Sequence, residues 1–256
     1  MGTLELETIV AGAVTVGLRV SGILVFAPFL GSSSIAPRIK GGLALALTLL
    51  LYPVCGRQLD FAAPGSWLHV AVGEIAFGLL IGLAANLIFE AAQMAGSILG
   101  FQMGYSLVNV IDPQSQVETP VLAVLHQTIA LLIFLHLNVH HWLLRAVTRS
   151  YAYLPAGTAF PTGLSAGALL QAAGSIWLVG IQIAAPTLAA TLMADFALAF
   201  LGKASPQLPI MIVGMSVKSM LGMLALIGSL TYWPRLFENQ FSRSIELCER
   251  MLRLAH

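Results

Sequence analysis

Residues 96–120 read GSILGFQMGYSLVNVIDPQSQVETP and lie between long apolar segments. Glycines recur here at helical spacing, Gln102 follows, and Asp112-Pro113 sits in a polar loop. An apolar helix that becomes a small-residue face and then breaks into a polar loop is built to pack closely and to end at something. In a chain of this hydrophobicity, that something is a pore, a substrate path or a partner subunit.

Composition decides what the flanks are. Of 256 residues, 58% are hydrophobic and 9% charged, with a mean hydropathy of +0.88. An ordinary soluble domain carries roughly 25% charged residues, and no soluble fold hides this much apolar surface. The apolar runs are continuous and rich in Leu, Ala, Ile and Gly, not alternating as in a barrel strand. The fold class is therefore an all-α membrane protein. The net charge of +1 gives no field suited to nucleic acid. Cys55 and Cys248 have neither metal nor redox spacing. The acidic start, MGTLELE, lacks the basic region of a cleaved signal, so the first apolar run is expected to be retained.

Apolar segments lie near 8–30, 41–56, 67–100, 121–144, 169–201 and 209–233. A helix needs ~20 residues to cross the bilayer core, and these segments do not match one thickness. The third, if helical through Gly104, would be about 57 Å long at 1.5 Å per residue. The fifth carries Pro186, a source of kinking. Lys203-Ala204-Ser205-Pro206-Gln207 separates the last two segments, which form a hairpin. Residues 234–256 form an amphipathic tail, with Phe237, Phe241, Ile245, Cys248 and Leu252 at helical spacing. Arg38 and Lys40, Arg145 and Arg149, Lys203 and the tail arginines split the positive-inside vote for six spans.

The third segment places Gly78, Gly82, Asn86, Glu90, Gln93, Ser97, Gly100 and Gly104 at steps of three and four. They predict a face of small and polar residues, turned away from lipid, that packs helices or lines a conduit. Gly96 joins Gly78, Gly82, Gly100 and Gly104 as a packing glycine. Ionisable groups inside apolar runs are Arg19, Glu74, Glu90, Asp195 and Lys218, each a functional candidate because it is costly in hydrocarbon. Asp195 and Lys218 stand on opposite arms of the last hairpin at depths differing by about 3 Å, which predicts an ion pair locking it. Arg19, Glu74 and Glu90 point to structural pairing over proton relay. His126, His136, His140 and His141 lack an acidic companion or an H-E-x-x-H, and no nucleophile constellation or phosphate loop is present. The expectation is no enzyme, no metal and no cofactor.

Taken in order, these residues resemble the FliR/SctT family of type III secretion export-apparatus membrane proteins over nearly the full length. The resemblance is carried by Arg19, Pro28, Gly31, Ile35-Ala36-Pro37-Arg38 and Lys40. It continues through Gly96, Gly100-Phe101-Gln102-Met103-Gly104, Ser106, Asp112-Pro113 and Pro120-Val121-Leu122-Ala123. Further on come Asn138 and His140, then Pro186, Leu198 to Leu201, Ala204-Ser205-Pro206-Gln207-Leu208 and Val213-Gly214. Ser97 stands where the family often has an acidic residue, and Lys218 lies in a stretch that is usually more apolar.

The resemblance implies helical hairpins similar to a fused FliP-like and FliQ-like subunit. The first would cover 1–168, the second 169–233, with 234–256 as the tail. It implies a place in the bacterial inner membrane, at the flagellar basal body, in a hetero-oligomer with FliP-like and FliQ-like subunits. There the chain would form part of the export gate for unfolded flagellar proteins. The segment 106–118 would be a plug inside the closed channel, through Ser106, Val108, Asn109, Val110, Ile111, Asp112, Pro113 and Gln114. Lys203, Ser205, Pro206 and Gln207 would face an FlhB-like protein. The alternatives are an injectisome gate subunit of the SctT type, and a small proton-coupled transporter using Glu90, Asp195 or Lys218. An intramembrane enzyme using the histidines is the third.

Overall fold

A computed structural model describes residues 2–28, 31, 35–55, 67–105, 120–154, 166–205, 207 and 210–254. Every regular element among them is an α-helix. In chain order these are α1 (Gly2–Phe26), α2 (Pro37–Cys55), α3 (Trp67–Gln102), α4 (Val121–His136), α5 (Val139–Tyr153), α6 (Ala166–Ala204), α7 (Ile210–Ser229) and α8 (Trp233–Leu254). Four helices are long and apolar enough to cross a membrane, within Ile9–Phe26, Pro37–Cys55, Trp67–Gln102 and Ala173–Ala204. Two further pairs, Val121–His136 with Val139–Ala152 and Val213–Ser229 with Trp233–Leu247, pass the same test together across a bend. The chain is thus an all-α membrane protein, as its composition predicts.

Local chemistry sets the helix ends. α3 closes at Gly104, whose φ of 87° lies in the left-handed region. The Met103 amide donates to the Leu99 carbonyl at 2.8 Å, and the Gly104 amide to Phe101 at 3.2 Å. Only glycine adopts that conformation without a Cβ penalty. The expected single segment 121–144 is instead two helices. Asn138, at φ 55° and ψ 31°, takes the left-handed conformation between α4 and α5. Asparagine visits this conformation more readily than most residues, here with no side-chain hydrogen bond at the cap. Pro186 lies inside α6 without ending it, and Pro53 lies inside the last turn of α2.

The helices form two compact units. The first takes residues 1–87, 138–173 and 241–256. Its core is Val16, Val20 and Ile23 of α1, Phe77 and Ile81 of α3, Val147 and Tyr151 of α5, and Phe241 of α8. α2 packs on α1 and touches α5. The second unit takes 88–137 and 174–240. Its core joins Ala92, Ala95, Leu99 and Met103 of α3 to Ala123 and Ala130 of α4, Ile183 and Ala184 of α6, and Trp233 and Phe237 of α8.

Much apolar surface stays uncovered. Leu45, Leu49 and Leu50 of α2 are about two-thirds exposed, as are Trp177, Phe196 and Phe200 of α6 or more so. A monomer in water does not present such faces; they belong against lipid or other subunits.

Candidate functional site

In the first unit, α1 and α3 cross where neither has a side chain to hold them apart. A Cβ on Gly22 would stand 2.5 Å from the Ile75 carbonyl oxygen and 3.1 Å from the Gly78 Cα. One on Gly78 would strike the Arg19 carbonyl oxygen and lie 2.9 Å from the Gly22 Cα. One on Gly82 would meet the Ile23 carbonyl oxygen at 2.7 Å. Gly78 and Gly82 therefore seat the α1 backbone directly on α3, the small-residue contact that membrane helices use in place of a hydrophobic drive.

That closeness places Arg19. Its guanidinium is fully buried and forms a two-point pair with Glu74, one turn before Gly78. Nε donates to Oε2 at 2.7 Å and Nη2 to Oε1 at 3.1 Å. Nη1 donates to Ser150 Oγ at 2.8 Å, and Nη2 also to the Leu154 carbonyl at 3.2 Å. The Tyr151 ring lies 3.8 Å from the guanidinium carbon and the Phe77 ring 5.4 Å. One buried cation thus gathers α1, α3, α5 and the residue that follows α5. The sequence points to structural pairing for Arg19 and for Glu74 without naming a partner for either, and in the structure the two pair with each other. Ser150 and Tyr151 were not legible as its companions, because 131 residues separate Ser150 from Arg19 in the chain.

In the second unit, Gly96 does for α4 what Gly78 does for α1. A Cβ there would lie 2.5 Å from the Leu122 carbonyl oxygen and 2.6 Å from the Ala123 Cα. Gly100 is buried and Gly104 half-buried. Not all of the small and polar row on α3 turns inward. Gly78, Gly82 and Gly100 are buried, Asn86, Gln93 and Ser97 are half-buried, and Glu90 is exposed on the chain taken alone. A step of four residues overshoots one turn by about 40°, so the row has swung about 120° between Gly78 and Glu90.

The end of α3 is clamped by the α6–α7 hairpin. Lys218 Nζ lies 2.8 Å from Asp195 Oδ1, so the depth-matched pair forms. The other carboxylate oxygen, Oδ2, accepts from Gln102 Nε2 at 2.9 Å. Next along both helices, Ser219 Oγ donates to the Met103 carbonyl at 2.9 Å. The Met103 side chain fills the space beside Gly222, where a Cβ would meet its sulfur at 2.8 Å. Gln102 and Ser219 were missed as members of this network; nothing in one sequence links a glutamine on α3 to an aspartate on α6.

Lys203, Ser205 and Gln207 are exposed at the turn of the hairpin. Pro206 lies outside the described residues, as does the whole expected plug, with Ser106, Val108, Asn109, Val110, Ile111, Asp112, Pro113 and Gln114. Among the described residues, no three His, Cys, Asp or Glu side chains gather as metal ligands. His126 is fully buried, with Nδ1 against the Leu122 carbonyl at 2.7 Å and its ring 5.1 Å from that of Trp233. The His140 and His141 rings lie 4.3 Å apart, tilted by 39° to each other.

The sequence has clear relatives. Residues 10–244 match the family described as Bacterial export proteins, family 1. The chain is 33% identical over 233 residues to the flagellar biosynthetic protein FliR of Escherichia coli K12, covering 90% of this chain and 88% of that one. It is 29% identical over 240 residues to the protein of the same name from Bacillus subtilis, with 93% of each covered. The secretion system apparatus protein SsaT of Salmonella typhimurium is 27% identical over 210 residues, 80% of this chain and 81% of that one.

Proposed function

This chain belongs to family 1 of the bacterial export proteins, and from that premise we propose that it is a membrane subunit of the flagellar type III protein export gate in the bacterial inner membrane. The observation that carries the flagellar reading is the 33% identity to a FliR protein across nine-tenths of the chain. The injectisome reading rests on a shorter match at 27%. The function is structural: the chain encloses part of a path for unfolded flagellar proteins and catalyses nothing itself.

Its partners are FliP-like and FliQ-like subunits in a hetero-oligomer, with an FlhB-like protein at Lys203, Ser205, Pro206 and Gln207. The bare apolar faces of α2 and α6 leave room for such neighbours beside lipid. Residues 1–168 take the FliP-like place, 169–233 the FliQ-like place and 234–256 the tail. The segment 106–118 closes the path. It starts within three residues of Met103, whose carbonyl is held to the hairpin, so a plug there would spring from a fixed post.

Two experiments test the reading. A tagged chain should co-purify with FliP-like and FliQ-like partners and be poorly stable without them. Purification as a stable monomer that moves a small solute would overturn it in favour of a transporter. Shortening Val108 to Gln114 should leave assembly intact but make the closed gate leak ions, and an unchanged leak rate would remove the plug.

A further inference from the structure

Within the first unit, α5 and the last part of α8 border an open cavity of 290 Å³ that the export reading does not use. Trp142, Arg145 and Arg149 line it from α5, and Ser242, Ile245 and Glu246 from α8. The opposite side of α5 is committed to the core through Leu143, Val147 and Tyr151, so the arginines stand on its outer side by helical spacing.

The charges in the cavity are unevenly matched. Arg149 already has a partner within the protein. Among the described residues, no hydrogen bond or ion pair engages the Arg145 guanidinium or the Glu246 carboxylate. A cation and an anion thus share one cavity without pairing with each other. One ligand with a negative and a positive group a few bonds apart would answer both.

We propose that this cavity binds the phosphoethanolamine headgroup of a membrane lipid. The phosphate sits at Arg145, with Arg149 beside it. Guanidinium forks match phosphate oxygens in geometry as well as charge. The primary ammonium sits at Glu246 and Ser242 and donates its N–H groups to the carboxylate and the hydroxyl. Trp142 is of the residue type that settles at headgroup depth, and Ile245 offers an apolar edge to the glycerol. The volume of 290 Å³ leaves room for the headgroup's few heavy atoms. A glycerol headgroup offers Glu246 only neutral hydroxyl donors and no cation to answer its charge. A choline headgroup has no N–H to give it. Basic pockets on membrane helices take lipid headgroups in the same way.

The test uses the assembled complex purified in detergent, delipidated and titrated with defined lipids, with bound lipid counted by native mass spectrometry. The wild-type complex should retain one more phosphatidylethanolamine than a complex carrying Arg145→Gln, whose affinity at that site should fall at least about tenfold, as for loss of one charge-assisted contact. Glu246→Gln should change the choice: the site should lose its preference for phosphatidylethanolamine and accept phosphatidylglycerol. Soluble phosphoethanolamine at equal concentration should not fill it. Equal phosphatidylethanolamine counts in wild-type and Arg145→Gln complexes would overturn the proposal. So would a wild-type site that prefers phosphatidylglycerol, an unchanged choice in Glu246→Gln, or equal binding of the soluble headgroup. Both side chains are exposed, and the yield of assembled complex reports folding separately from lipid choice.

Discussion

Replacing one partner of the Arg19–Glu74 pair should harm the protein more than replacing both. Arg19 is fully buried and the Glu74 side chain is 2% exposed. Glu74→Leu leaves the guanidinium with only the Ser150 hydroxyl, the Leu154 carbonyl and two ring faces to answer its charge. Arg19→Met takes from the buried Glu74 carboxylate the cation that answers its charge. Removing one member of a buried pair costs about 3–5 kcal/mol. For a chain of this size that lowers the unfolding midpoint by roughly 6–20 °C. The double variant Arg19→Met with Glu74→Leu strands no charge. Ser150 Oγ keeps its bond to the Val147 carbonyl at 2.6 Å. The loss of the hydrogen bond to the Leu154 carbonyl costs about 1–2 kcal/mol. Thermal unfolding in detergent of the two singles and the double closes the cycle. A double variant as unstable as the sum of the singles would refute the claim that charge, and not shape, makes this site sensitive.

Gly78→Ala should cost at least about 3 kcal/mol, the upper end for overpacking, because two helix backbones and not a flexible side chain must move; a loss under 1 kcal/mol in the same unfolding assay would mean that α1 and α3 do not meet there. Gly174→Ala has nothing within 4 Å and should be neutral or gain up to about 1 kcal/mol from helix propensity. Asp195→Lys and Lys218→Asp should each reduce recovery of the assembled complex, and the swapped double should regain it, with no regain counting against the pair. Gln102→Leu should release the end of α3, read as faster hydrogen exchange at the Met103 and Gly104 amides; unchanged exchange would show that Asp195 does not hold it.

How much was legible follows from the range of the forces involved. Apolar runs report the solvent directly, so helices in a membrane could be read from composition alone. The Asp195–Lys218 pair could be read because a hairpin makes depth a matter of counting from its turn. The break at Asn138 is a single backbone conformation inside an apolar run, and hydropathy is blind to it. The Gly22–Gly78 crossing was half visible. Gly78 lay in a row of small residues, but Gly22 is marked only by the partner it meets. Glu90 shows the opposite failure, where a row that looks straight on paper winds around the helix. The companions of Arg19 and Gln102 come from distant parts of the chain, and one sequence holds no record of such meetings.

The clamp at Gln102 and Met103 also sets where a pull on the chain would be borne. Any tension entering through the segment that follows Tyr105 reaches the Met103 carbonyl and the Gln102 amide first. Both are secured crosswise, one to α7 and one to α6. Load would therefore be shared across two contacts in parallel instead of peeling α3 open one hydrogen bond at a time. The helix beyond would feel such a pull only after both had given way.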